Sequence, residues 1–215
     1  MTYEPTVWHY LVSMSATAAF AITAVLAVSP RGIDLFGAIV LGIITAIGGG
    51  TIRDMMLDVP IFWATDLSYI WVALAASIAT FSADYLFTRK EIYSLLLYLD
   101  GFGVAMFAIE GAAKVWALGF GWPLGPVILG VITAIGGGLI RDVLAGRQTL
   151  LMTRELYAIP VLFGCILFVL ILAYAPQYQH AGTVGCAIFI FALRAAAIHW
   201  HWRVPDWLAI SAKAN

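Results

Sequence analysis

Two stretches of this chain are nearly the same sentence written twice. "LGIITAIGGGTIRD" at 41–54 and "LGVITAIGGGLIRD" at 129–142 differ at two positions, 88 residues apart. Other pieces repeat with them: "FAI" at 20–22 returns at 107–109, an offset of 87, and Tyr69 matches Tyr157 at 88. A duplicated unit constrains the fold strongly, because both copies must bury similar faces. The unit is also unusual inside. Three glycines, an arginine and an aspartate sit in some of the most apolar sequence the chain has.

The surrounding composition fixes the solvent. The 215 residues are 63% hydrophobic and 11% charged, with a mean hydropathy of +0.96. Soluble domains carry about 25% charged residues, so the chain reads as an integral membrane protein. A net charge of -1 excludes a basic field for nucleic acid. Cys165 and Cys186 lie in apolar runs and read as small buried hydrophobes. His9, His180, His199 and His201 have no metal-ligand spacing. No nucleophile–base set, metal cluster or cofactor motif points to an enzyme.

A spanning helix needs about 20 mostly apolar residues. Seven such runs are present, near 7–29, 34–57, 66–87, 92–118, 123–145, 155–175 and 181–202. Residues 1–10 contain Glu4 and no Lys or Arg, so the first run is expected to be a retained span, not a cleaved signal. Continuous apolar runs exclude a β-barrel. The expected fold is therefore all-α and membrane-integral, a single transmembrane domain over 1–215. Repeat one covers about 7–88, repeat two about 92–175, and the seventh helix is an extra. Three spans per repeat is an odd number, so the second copy enters from the opposite face. That is an inverted-topology repeat, common among transport proteins.

Basic residues orient the chain. With the N-terminus outside, the cytoplasmic segments hold Arg31, Arg89, Lys90, Arg147, Arg154, Arg203 and Lys213, and the opposite segments hold essentially none. The expectation is N-out, C-in, in the cell's inner membrane. "HWHWR" at 199–203 suits a cytoplasmic interfacial belt, with Arg194 snorkelling toward it.

Glycine in a helix costs roughly 1 kcal/mol relative to alanine. The triplets Gly48, Gly49, Gly50 and Gly136, Gly137, Gly138 are therefore expected to break the second and fifth spans. Irregular backbone in hydrocarbon survives only against protein or a water-filled cavity. With Thr45 and Thr133 these glycines are the candidate lining of a polar path, whereas close helix packing is the structural alternative. Thr51 follows one triplet where Leu139 follows the other. Thr51 would line such a path and Leu139 would pack.

An intramembrane charge costs about 2.5–3.5 kcal/mol on insertion scales unless it is paired or hydrated. Arg53 and Asp54, and likewise Arg141 and Asp142, are sequence neighbours that project about 100° apart on a helix. Pairing is expected between motifs, Arg53 with Asp142 and Asp54 with Arg141, or with Asp100 and Glu110 of the fourth span. Arg53 and Arg141 as mere anchors of helix ends is the plainer reading. Glu110 and Lys114 stand at i,i+4 in the favourable order and read as a local structural pair. Asp84 beside Arg89 and Lys90 reads as an interfacial cluster.

The doubled "TAIGGGxIRD", the three-plus-three-plus-one spans and the length resemble the prokaryotic branch of the trimeric intracellular cation (TRIC) channels. The same family is also described as a bacterial glycine-transporter domain (UPF0126). The resemblance covers roughly residues 10–200. Asp100-Gly101-Phe102-Gly103 matches the family's opening of the fourth helix; Ser13-Met14-Ser15, the equivalent place in repeat one, lacks both acid and glycine. The resemblance implies a homotrimer in membrane lipid, with a water-filled path in each protomer kinked at the two triplets. It implies conduction of monovalent cations, chiefly potassium, and no cofactor. A small-amino-acid transporter, most plausibly for glycine, remains the alternative: a broken helix offers amides to a carboxylate and carbonyls to an ammonium.

Overall fold

A computed structural model describes residues 7–83, 86, 88–153 and 155–202. Glu4, Asp84, Arg154, Arg203 and Lys213 lie outside the described residues. The helices are α1 (Val7–Val28), α2 (Leu35–Met56), α3 (Phe62–Thr65), α4 (Ser68–Ala83), α5 (Arg89–Ala117), α6 (Leu124–Leu144), α7 (Ala158–Tyr174) and α8 (Gln179–His199). Seven of them are the seven expected spans, and α3 is a single turn between the second and third. The chain is a multi-pass, all-helical membrane protein.

Local chemistry sets the helix ends. Asp34 starts α2 by accepting the Gly37 N–H at 2.7 Å. Thr88 and Glu91 form a reciprocal capping box at the start of α5: the Thr88 N–H reaches Glu91 Oε2 at 2.8 Å, and the Glu91 N–H reaches Thr88 Oγ1 at 3.4 Å. Gly32 after α1 and Gly146 after α6 adopt φ of +71° and +57°, which only glycine takes without strain. Arg31 then donates to the Gly146 carbonyl at 3.1 Å, tying these two turns together.

Among the described residues, five helices have the length and apolarity to cross a bilayer by themselves. α7, at 17 residues, is shorter than the expected 155–175, and the described part of α4 runs for 16 residues from Ser68. At ~1.5 Å rise they run roughly 24–26 Å. After α6 the Arg147 N–H returns to the Asp142 carbonyl and the Leu150 N–H to Asp142 Oδ2, a 3-10 turn follows at Leu150–Met152, and α7 begins at Ala158.

The two repeats pack in opposite directions. Gly49 of α2 lies under the Thr133 carbonyl of α6, and Gly137 of α6 lies under the Thr45 carbonyl of α2. The numbering rises on one helix as it falls on the other, so α2 and α6 cross antiparallel. The same holds for α1 and α5, where Thr23 shares a partner with Asp100 while Gly103 abuts Phe20. Phe20 stacks on Phe107, its own counterpart in the repeat, with centroids 5.5 Å apart and planes 8° off parallel. A pseudo-two-fold axis passes between these phenylalanines and between Gly49 and Gly137.

The expected breaks in the second and fifth spans are absent. α2 and α6 remain α-helical through both triplets. The helices need glycine there because their backbones touch. A Cβ on Gly49 or Gly137 would collide with a carbonyl of the facing helix, and one on Gly136 would lie 3.2 Å from the Gly49 Cα. Helix–helix contact repays the poor helix propensity of glycine, as small residues do at membrane crossings. No carbonyl is freed in this conformation.

Candidate functional site

The motif charges gather into two clusters, one on either side of the glycine crossing. In the first, Arg53 Nε donates to Asp54 Oδ1 at 2.8 Å and Lys114 Nζ donates to the same oxygen at 2.7 Å. Asp54 Oδ2 accepts the Phe62 N–H at 2.9 Å, and the Arg53 guanidinium lies 5.8 Å from the Phe62 ring centroid. Glu110 lies in the field of Arg53, Lys114 and Asp54, and Ser13 lies beside both Glu110 and Tyr69.

In the second, Arg141 Nε donates to Asp142 Oδ1 at 2.9 Å. Arg141 Nη1 donates to Asp100 Oδ1 at 2.7 Å and to Thr23 Oγ1 at 3.0 Å. Asp142 Oδ2 accepts the Leu150 N–H at 3.1 Å. Arg141, Asp100 and Arg194 are all 0% exposed. The Arg194 guanidinium lies 4.8 Å from the centre of the Tyr157 ring, and its Nη1 donates to the Leu156 carbonyl at 3.0 Å.

The clusters are related copies. Phe62 and Leu150, each capped by its aspartate, stand 88 residues apart, as do Tyr69 and Tyr157. The acids break the symmetry. Both Asp100 and Glu110 ride on α5, one toward each cluster, and their counterparts on α1 at the offset of 87 are Ser13 and Thr23. Thr23 therefore serves Arg141 while Ser13 sits in the other half. Each cluster holds two cations and two carboxylates. That balance is what makes burying four charges tolerable, since an unpaired one would cost several kcal/mol.

Several pairings differ from the expected ones. Arg53 and Arg141 pair with their own neighbours, Asp54 and Asp142, not across the motifs. Each aspartate lies near the end of its helix and caps the reversing chain eight residues on, and the Nε of the preceding arginine donates to its other oxygen. Lys114 pairs with Asp54, whose other oxygen accepts the Phe62 N–H, and not with Glu110. Arg194 does not snorkel: it is enclosed against Tyr157. Asp100 does partner a buried arginine. Cys165 and Cys186 are buried.

Around the crossing, Thr45 and Thr133 are 1% and 2% exposed. Thr133 donates its hydroxyl to the Leu129 carbonyl, whereas Thr45 Oγ1 has no protein partner among the described residues. Gly48 faces Ile140, Gly50 faces the Phe62 ring and Gly138 faces Tyr157 and Asp100. Thr51 is engaged: its hydroxyl donates to the Ile47 carbonyl at 2.8 Å and accepts the Trp63 indole N–H at 2.9 Å. Leu139 packs on the apolar core. Sequence reasoning placed Arg194 at the interface and missed the roles of Thr23, Ser13 and Phe62. The 87-residue offset from Glu110 to Thr23 was the available signal for Thr23.

Comparison with known proteins agrees with this architecture. The family described as "Glycine transporter" matches twice, at residues 10–85 and 97–173, one match on each repeat. The UPF0126 inner membrane protein YadS of Escherichia coli K12 is 37% identical over 91% of this chain and 94% of its own length. A UPF0126 membrane protein of Vibrio cholerae is 36% identical over 91% of this chain and 81% of its own. The TRIC trimeric intracellular cation channel orthologue from Rhodobacter sphaeroides superposes with a TM-score of 0.86 at 31% identity, covering 92% of this chain and all of that one. With its doubled motif, antiparallel repeats and unrepeated last helix, this chain belongs to the UPF0126 family of membrane proteins, the bacterial relatives of the TRIC channels.

Proposed function

We propose that the protein is a cation channel that passes monovalent cations, chiefly potassium, through a separate path in each protomer of a homotrimer. The observation that carries this reading is the pair of charge-balanced clusters set on either side of an antiparallel glycine crossing, in a fold superposing on a cation channel at 31% identity. The path runs within α1, α2, α5 and α6. It passes Arg53, Asp54, Lys114 and Glu110, then Thr45, Thr133 and the triplets Gly48–Gly50 and Gly136–Gly138, then Asp100, Arg141 and Asp142. Conduction requires α2 and α6 to part at the crossing, so the touching backbones correspond to a shut centre. Neutral clusters suit passive flow, because a net charge at either end would trap or repel the ion. Thr51, held by Trp63, stiffens the wall of the path.

The chain sits in the inner membrane, its N-terminus outside and its C-terminus in the cytoplasm. Reporter fusions at the two ends check that orientation.

Glycine transport is the second reading, favoured by the description of the matching family. Purified protein in proteoliposomes separates the two. Rapid potassium efflux down its gradient, without saturable uptake of labelled glycine, supports the channel. Saturable glycine uptake with no potassium leak replaces it with the transporter.

A further inference from the structure

The two ends of the path are built from the same repeat, yet they are not closed by the same residues. At the first cluster the second cation is Lys114, on α5 and ion-paired to Asp54. At the other it is Arg194, on α8, the helix outside both repeats. Among the described residues no carboxylate pairs with Arg194. It is held by the Tyr157 ring and one carbonyl, although it is 0% exposed.

The atoms around it share a feature. Arg194 Nε and Nη2, Arg141 Nη2, Asp100 Oδ2 and the Tyr157 hydroxyl are buried without protein partners among the described residues. Two of them, the Tyr157 hydroxyl and Arg141 Nη2, stand at the last glycine of the second triplet, while Arg194, stacked on the Tyr157 ring, runs past Gly101. A Cβ on Gly138 would stand 3.0 Å from the Tyr157 hydroxyl, 3.2 Å from Asp100 Oδ1 and 3.6 Å from Arg141 Nη2. The matching glycine of the first triplet, Gly50, instead faces the Phe62 ring. One end of the crossing is thus walled by an aromatic ring, and the other by polar groups with bonding capacity to spare. Among the described residues the first cluster holds one such unpartnered atom, Glu110 Oε2, against five here. Buried polar groups with open valences are costly unless something can satisfy them, so this wall is the readier to accept water.

We infer that Arg194 is the lock and the charge filter of the Gly138 end of the path, an inference resting on the channel reading for its consequence but not for its test. Stacked on Tyr157, the guanidinium holds the tyrosine hydroxyl and the Asp100–Arg141 pair against Gly138. Its positive charge brings the cluster to neutrality. Without it, Arg141, Asp100 and Asp142 sum to a net charge of -1, which attracts cations and water into the same space. The seventh helix, which the duplicated architecture does not need, is then the element that makes the two mouths unequal.

The test uses the full-length protein in proteoliposomes, with Cys165→Ala, Cys186→Ala and a reporter Thr45→Cys. A membrane-impermeant, cationic methanethiosulfonate is added from the face where α8 ends. Removing one buried charge should speed labelling of the reporter by at least ~10-fold in Arg194→Gln relative to its parent. Arg194→Lys, which keeps the charge but not the planar stack, and Tyr157→Phe, which keeps the ring but not the hydroxyl, should each fall in between. They carry the test if Arg194→Gln does not assemble. A residue that served packing alone would lower the thermal stability of all three variants and leave the labelling rate per folded protein unchanged; that outcome overturns the lock. Potassium efflux on the same vesicles is read separately. Faster labelling without potassium efflux in any variant sinks the channel reading and leaves the lock standing. Efflux with equal labelling rates sinks the lock alone.

Discussion

Arg141 and Asp100, on different helices and 41 residues apart, share a 2.7 Å ion pair in which both side chains are 0% exposed. Thr23 adds a third helix to the same guanidinium. This pair fastens α1, α5 and α6 at one end of the bundle, whereas Arg53, the corresponding arginine of repeat one, belongs to the lysine-bearing cluster on the other side of the crossing.

Removing one partner of such a pair leaves the other charged, buried and unmatched. Asp100→Asn should lower unfolding stability in detergent by about 3–5 kcal/mol. A double-mutant cycle on Asp100 and Arg141 should return a coupling of roughly 1–3 kcal/mol, and one on Arg53 and Asp142 a coupling within ~0.5 kcal/mol of zero. Thermal unfolding followed by size-exclusion chromatography reads both.

The triplet glycines should differ among themselves. Gly49→Ala and Gly137→Ala place a Cβ on a facing backbone carbonyl, which has nowhere to go, and each should cost about 2–3 kcal/mol. Gly48→Ala meets the tip of the Ile140 side chain at 2.6 Å, which can turn aside, and should cost under ~1 kcal/mol. Gly185→Ala on α8 meets nothing within 4 Å and should stabilise by up to ~1 kcal/mol through helix propensity. Equal losses at Gly48 and Gly49 would contradict the crossing.

How much of this was readable beforehand follows from what a sequence encodes locally. The duplication, the seven spans and the inverted packing are carried by pattern and length, and Asp100 stood out because an acid inside a span needs a partner. The continuity of α2 and α6 was not readable. Glycine's propensity is a property of one residue, whereas the contact that overrides it comes from a helix 88 residues away. Neighbour pairing of Arg53 with Asp54 was missed for a related reason: the 100° rule describes Cβ directions, and arginine is long enough to ignore it. Arg194 near a tryptophan-rich end looked interfacial, and only the position of Tyr157 shows that it points inward.

The capping box of α5 gives a local check. Thr88→Ala removes an oxygen that accepts the Glu91 N–H and should cost about 1 kcal/mol. Hydrogen exchange should quicken over the first turn of α5 and stay unchanged at Asp100. Protection lost along the whole helix would mean that the cap controls more than the end.

Asp54 and Asp142 should both prove necessary for the turns they cap, but unequally. Asp54→Asn frees Lys114 as well as Arg53, while Asp142→Asn leaves Arg141 its bond to Asp100. The first substitution should therefore destabilise more, by about 1.5–3 kcal/mol, the scale of one hydrogen bond to a charged group. Unfolding midpoints of the two variants decide it, and the reverse order would refute the assignment of Lys114.

The central claim is that cations travel through the interior that Thr45 and Thr133 share, between the two charge clusters. Unitary recording from purified protein in planar bilayers tests it most directly, comparing the wild type with Thr45→Val, which removes the unpartnered hydroxyl at nearly constant volume. The expected result is stepwise potassium current from the wild type and a unitary conductance reduced at least ~2-fold in the variant, as loss of a coordinating oxygen at a narrow point requires. Stepwise currents of identical size in both proteins, or none from the wild type, would contradict the account.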